Sequence, residues 1–123
     1  MRLDEAQSEL EAAVLADPEN DRAKADLGRL YVQKNEPGKA TVVLEELVKK
    51  YPKDPYAWAD LGKAEGVLGN SGTAIHCLQT ALSLNPGLNQ LHYQLAVLYR
   101  KQGRDDLTNS ELAIFQSNRR TNP

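Results

Sequence analysis

Residues 55–88 read PYAWADLGKAEGVLGNSGTAIHCLQTALSLNPGL, and the rest of the chain repeats this stretch at an interval of thirty-four residues. Ala6, Ala40 and Ala74 stand one interval apart, as do Pro18, Pro52 and Pro86. Leu10, Leu44, Leu78 and Leu112 form a third column, and Leu27, Leu61 and Leu95 a fourth. Self-similarity at a fixed period of this size signals a stacked array, in which each unit buries its apolar face against its neighbours. Stacked units build extended surfaces rather than enclosed catalytic pockets.

Within each interval the apolar residues fall into two stripes at three- and four-residue spacing, the mark of amphipathic helices. The first stripe is Ala23, Leu27, Leu30 and Tyr31, over about 21–34; the second is Ala40, Val43, Leu44, Leu47 and Val48, over about 39–50. They recur as Trp58, Leu61 and Ala64, then Ala74, Leu78, Ala81 and Leu82. A last pair follows as Leu91, Leu95, Leu98 and Tyr99, then Leu112 and Phe115 over about 107–117. Residues 3–16 carry Leu3, Ala6, Leu10, Ala13 and Val14 on one side of a further helix. No stretch sustains the period-two alternation of a strand, so the predicted class is all-α.

Punctuation agrees with periodicity. Asn35, Gly69 and Gly103 occupy equivalent positions, and these residue types tolerate the left-handed backbone that ends a helix. Pro18, Pro52 and Pro86 separate the units, because proline cannot continue a preceding helix. Asp54 before Pro55 reads as an N-cap and first helical residue.

Composition narrows the function classes. The 123 residues are 41% hydrophobic, with 15 basic and 17 acidic side chains. Near-neutral charge argues against nucleic acid as a partner, since such binders usually carry a basic stripe. No apolar run approaches the roughly 20 residues that span a bilayer, so no membrane partner is expected. The opening Met1-Arg2-Leu3-Asp4-Glu5 is helical in pattern and unlike a signal peptide, which makes a soluble, cytoplasmic location the default expectation. One cysteine, Cys77, cannot form an internal disulfide and leaves the redox compartment open.

In these columns the chain resembles the tetratricopeptide repeat (TPR) family, whose pattern is W-x2-L-G-x2-Y, then A-x3-F, then P, on a 34-residue period. Residues 55–88 supply Trp58, Leu61, Gly62, Ala74, Leu78 and Pro86, with Glu65 where the pattern has tyrosine. Residues 21–54 supply Leu27, Gly28, Tyr31, Ala40, Leu44 and Pro52, with Lys24 in the tryptophan position. Residues 89–122 form a degenerate repeat with His92, Leu95, Ala96, Tyr99, Thr108, Leu112 and Arg120, and residues 1–20 the second helix of a preceding partial one. The resemblance implies a right-handed α-solenoid of about three and a half repeats. It also implies that small residues face each other between paired helices: Gly28 with Ala40, Gly62 with Ala74, and Ala96 with Thr108.

The resemblance further implies a non-catalytic module that binds a peptide or partner segment in a concave groove lined by the first helix of each repeat. Carried over by position, the groove candidates are Arg22, Asp26 and Arg29, then Tyr56, Asp60 and Lys63, then Tyr93, Gln94, Arg100 and Lys101. Five of these are basic and two acidic, which points to an acidic protein or peptide partner; the same residues also suit an ordinary solvated face. Asp26, Asp60 and Gln94 share one position and resemble the asparagine ladders with which some TPR superhelices hold a peptide backbone. Ala25, Arg29, Asp60, Gln90 and Gln94 stand where chaperone-binding members carry a carboxylate clamp, and their types argue against that clamp.

Two features look chemical. His76, Cys77 and His92 lack the three or four ligands at recognisable spacing that zinc usually needs, and Cys77 reads as a buried small hydrophobe at the position of Val43. Glu45-Glu46 reads as helix surface and Asp105-Asp106 as a helix start. With no phosphate loop or nucleophile motif, neither an enzyme nor a cofactor is expected. Two alternatives to groove binding stand beside it: self-association as a homodimer through exposed terminal helices, and a regulatory domain of a larger protein.

Overall fold

The computed structural model describes residues 2–121. Among them seven α-helices follow one another: α1 (Arg2–Ala16), α2 (Asp21–Gln33), α3 (Pro37–Lys50), α4 (Pro55–Val67), α5 (Ser71–Leu84), α6 (Gln90–Lys101) and α7 (Asp105–Thr121). Each packs on the next, α2 also touches α4, and α4 touches α6, whereas α1, α3, α5 and α7 do not touch one another. The array therefore curves: α2, α4 and α6 lie on its inner side and the other helices outside.

The turns explain the sharp reversals. Asn35, Gly69 and Gly103 have φ of 59°, 89° and 73°, the left-handed region that stops a helix. At each stop a backbone N–H reaches back five residues: Glu36 to the Tyr31 carbonyl at 2.8 Å, Asn70 to Glu65 at 2.9 Å, and Arg104 to Tyr99 at 2.9 Å. Helix starts are capped by side chains, as the Asn20 Oδ1 accepts from the Ala23 N–H at 3.1 Å and the Asp54 Oδ1 from the Tyr56 N–H at 2.9 Å. Pro37 stands in the first turn of α3, so that helix starts two residues before the expected 39. The final helix also outruns its expected 107–117. Asp105 and Asp106 form its first turn, and beyond 117 the Asn118 Nδ2 donates to the Asn89 Oδ1 at 2.8 Å.

Two apolar clusters fill the array. One joins Leu27, Tyr31, Leu44, Leu47 and Leu61, with Leu10 and Val14 of α1 against it; the other joins Ile75, Leu78, Leu91, Leu95 and Leu98. Trp58 packs on both, and its indole N–H donates to the Pro52 carbonyl at 2.8 Å. Glycine governs the spacing within two helix pairs. A Cβ on Gly28 would stand 2.7 Å from Leu44 Cδ2, and one on Gly62 would stand 2.8 Å from Leu78 Cδ2. The expected Gly62–Ala74 contact is present through the alanine's backbone, whereas the nearest neighbour of Gly28 is Leu44 rather than Ala40, and at both glycines the space is filled chiefly by the leucine one helical turn after the alanine. The Ala74 carbonyl, at 3.2 Å from the Gly62 position, is the nearest part of that alanine.

Polar groups complete the packing where the repeat pattern departs from large apolar residues. Lys24 is buried and its Nζ donates to the Glu46 Oε1 at 3.0 Å. Glu65 is buried and accepts from the Asn70 Nδ2 at 3.1 Å. The His92 Nδ1 lies 2.8 Å from the Glu111 Oε2, joining α6 to α7. Helix α1 has no buried residue and is tied to α2 by polar bonds: the Tyr31 hydroxyl donates to the Glu11 Oε2 at 2.6 Å, and Lys34 Nζ bonds Asp4 and Gln7. Cys77 is enclosed, and burial pushes its thiol up to about 11.

Two predictions follow from these contacts. Gly62→Leu forces a side chain into the Leu78 contact and should destabilise the fold by about 1–3 kcal/mol. Gly38→Ala, where a Cβ meets nothing within 4 Å, should stabilise it by about 0.4–1 kcal/mol through the unfolded state. Thermal melts check both, and equal midpoints for the two variants would contradict the assignment. The second prediction concerns acid. Hydrogen bonds from Lys34, from Tyr31 and from Lys50 hold the Asp4, Glu11 and Asp21 carboxyls, respectively, below their ordinary values. Such groups bind protons more weakly folded than unfolded, so their stabilisation is complete above about pH 5 and is lost as pH falls through the carboxylate range. Hydrogen exchange should therefore show α1 losing protection before α4 as pH is lowered from about 6 to 3, and Glu11→Gln should weaken that dependence.

Candidate concave binding surface

The inner helices bring most of the candidate residues onto one surface. A hollow of about 610 Å³ is lined by Arg29, Tyr56, Ala59, Asp60, Lys63 and the 87–91 segment. A second hollow of about 300 Å³ adjoins it and shares Lys63 and Gln90. Its lining comprises Gly62, Gly66, Val67, Tyr93, Gln94, Val97 and Lys101, with Leu78 and Leu98 of the core. Seven of the ten candidates thus line two adjoining hollows between α4 and α6. Arg22 instead lines a separate hollow of about 280 Å³ with Ala25, Leu47, Tyr51 and Asp54, while Asp26 and Arg100 lie exposed on α2 and α6.

Charge on this surface differs from the count in sequence. Asp60 is buried at 7% exposure, with Arg29 Nε 3.4 Å from its Oδ2 and Lys63 Nζ 4.0 Å from its Oδ1. Burial pushes the Asp60 carboxyl above its ordinary value, against the pull of both cations. Arg29 and Lys63 are therefore partly neutralised from within. Arg22, Arg100 and Lys101 form no ion pair among the described residues and carry the free positive charge. The Asp26–Asp60–Gln94 column does not act as three equivalent groups: Asp26 is exposed, Asp60 is engaged by cations, and the Gln94 Oε1 is buried without a hydrogen-bond partner.

The aromatic groups are held in different ways. Tyr56 is half exposed beside Asp60, one turn below it on α4. Tyr93 packs on Phe115 of α7 with ring centroids 5.6 Å apart, which fixes the ring while leaving 40% of the residue exposed. Sequence reasoning missed the floor of the smaller hollow, because the repeat columns assign Leu78 and Leu98 to the core. Gly66 is the signal that could have found it: it stands between Val32 and Arg100 in its column, and it is a glycine where helix α4 needs none for a turn.

Comparison with known proteins places this architecture. Family descriptions reading "Tetratricopeptide repeat" match residues 2–63 and 59–107. Among solved structures, a crystal structure of MamA is 26% identical and superposes with a TM-score of 0.85, over 94% of this chain and 67% of that one. MamA 41-end from Desulfovibrio magneticus RS-1 is 19% identical with a TM-score of 0.92, over 98% of this chain and 68% of that one. MamA AMB-1 is 24% identical with a TM-score of 0.90, over 96% and 70%. The chain thus spans about two thirds of the length of these proteins. No curated protein sequence matches it. Among the described residues no helix is long and apolar enough to cross a membrane. With seven helices curved into a right-handed α-solenoid and family matches from residue 2 to residue 107, the chain belongs to the tetratricopeptide repeat family.

Proposed function

We propose that this chain is a non-catalytic protein-interaction module whose concave surface holds a segment of a partner protein rich in acidic residues. Membership of a family of protein-interaction scaffolds supports the general reading. The observation that carries the finer one is the gathering of Tyr56, Lys63, Tyr93 and Lys101 around two connected hollows, with Arg100 exposed next to Lys101 on α6 and neither of the two in an ion pair among the described residues. Amphipathic aromatic rings give contact area at low entropic cost, and the cations select the charge of the segment and speed its encounter. Such a surface suits micromolar affinity, about 8 kcal/mol.

Arg100 and Lys101 are the residues to reverse, because replacing Arg29 or Lys63 would also remove one of the two counter-ions of buried Asp60. The double variant R100E/K101E should bind capped glutamate-rich peptides at least about tenfold more weakly than the unaltered chain, a loss of about 1.4 kcal/mol, by calorimetry. It should melt within about 0.5 kcal/mol of it, as surface changes do. Undiminished binding would overturn the proposal.

A second reading, self-association, is favoured by apolar residues exposed on the two terminal helices: Leu3 and Leu15 of α1, Leu107 and Ile114 of α7. On this reading light scattering finds a dimer that Ile114→Lys dissociates. A monomer at high micromolar concentration excludes it.

A further inference from the structure

Two glycines of α4 line the smaller hollow, and only one of them is needed for helix packing. Gly62 cannot accept a side chain, since its Cβ would stand 2.8 Å from Leu78 Cδ2. Gly66, one turn later, can: its Cβ would meet Leu98 Cδ2 at 3.4 Å and Ala74 Cβ at 3.8 Å, ordinary contact distances. Its backbone φ is not in the left-handed region either, because the positive-φ residues are Asn35, Gly69 and Gly103. Glycine in a helix is unfavourable relative to alanine when neither turn nor packing requires it. What the missing side chain does achieve is to leave the α4–α6 hollow open beside Leu98, while Leu78 lines it next to Gly62.

The hollow has the size and chemistry of a single-residue socket. Its volume of about 300 Å³ lies at the bottom of the range for small-molecule sites, and an apolar cavity of about 150 Å³ already admits a benzene ring. Leu78, Leu98, Val67, Val97 and the Tyr93 ring line it together with Gln90 and Gln94, and no acidic residue does. Lys101, which forms no ion pair among the described residues, also lines it, and Lys63 is shared with Asp60 at 4.0 Å. An occupant that buried a carboxylate on the leucine floor would lose hydration without a partner, whereas carboxylates beside a buried apolar group would meet the rim cations.

We infer that the Gly66 hollow is an anchor socket for one large apolar side chain, phenylalanine or leucine in size, flanked by carboxylates in the bound partner segment. This inference rests on the concave-surface reading above and specifies which residue of the segment is read. Gly66 acts by its absence of side chain, and its substitution separates binding from folding: filling the socket should leave stability unchanged or raised while removing discrimination.

The test uses the full chain and three capped peptides in which a central Phe, Leu or Ala is flanked by glutamates. For the unaltered chain, calorimetry should give the Phe and Leu peptides at least tenfold tighter binding than the Ala peptide. Gly66→Leu should bind all three at the Ala level with an unchanged or higher melting temperature. Amide shift differences between the Phe and Ala complexes of the unaltered chain should centre on residues 62, 66, 67 and 97, a readout that stands even if the variant folds poorly. Equal affinity for the three peptides, or differences centred elsewhere, overturns the socket. If binding is weakened by R100E/K101E yet indifferent to the central residue, only the socket fails. No binding of any peptide at millimolar concentration overturns both readings.

Discussion

The approach of two inner helices, α2 and α4, to their outer partners is set by a glycine pressed against a buried leucine, and the curvature builds on those two contacts. Gly28 meets Leu44 and Gly62 meets Leu78, one period apart, and both leucines are 1% exposed. Because the glycine has no side chain, the leucine can enter the inner helix's surface and bring the two backbones close. Close pairs let α2, α4 and α6 touch in succession while the outer helices diverge, which is what makes one side of the array concave. In the last pair Ala96 replaces the glycine, and Leu112 is only half buried. There the junction is shared with polar links, Asn89 to the Phe115 carbonyl at 3.2 Å and His92 to Glu111.

The fold was largely legible in the sequence because a solenoid consists of nearest-neighbour contacts. A residue one period away meets the same surroundings, so columns such as Leu10–Leu44–Leu78 report burial directly. Helix stops were legible for a local reason: only a few residue types adopt the left-handed turn, and Asn35, Gly69 and Gly103 are such types. Exceptions to the columns were not legible. Lys24, Glu65 and His92 stand where the pattern has tryptophan or tyrosine, and each is satisfied by a partner the period does not name: Glu46, Asn70 and Glu111. A column states that a position is enclosed; it does not state which side chain on the neighbouring helix closes a hydrogen bond.

The same limit governs the concave surface. Counting charges by repeat position placed Arg29, Lys63 and Asp60 on one face, which they share, but counting could not pair them. Their pairing spans about one repeat, with Arg29 on α2 reaching Asp60 on α4, and it resembles the link between Tyr51 and Asp21 at 2.6 Å. Socket and surface were legible to different degrees for a related reason. Rim residues face solvent and are named by periodicity, whereas Leu78 and Leu98 belong to core columns and line the hollow where α4 carries Gly62 and Gly66.

Asp60 changes what the surface can recognise. A carboxylate buried beside two cations loses hydration that the cations restore only in part, which is why its proton affinity rises despite them. The gain is positional. Arg29 and Lys63 are drawn toward the middle of the inner face from different helices, and their remaining donors stay available at half exposure. A ligand carboxylate must then share cations already engaged by Asp60, so this centre contributes less attraction than two free cations would. Arg100 and Lys101, on the last inner helix, have no such competitor among the described residues. On the proposed reading, the attraction is therefore weaker at the Asp60 centre than beside Lys101. On that reading the difference gives a charged segment a direction, and the apolar socket, which Lys101 itself lines, would fix its register.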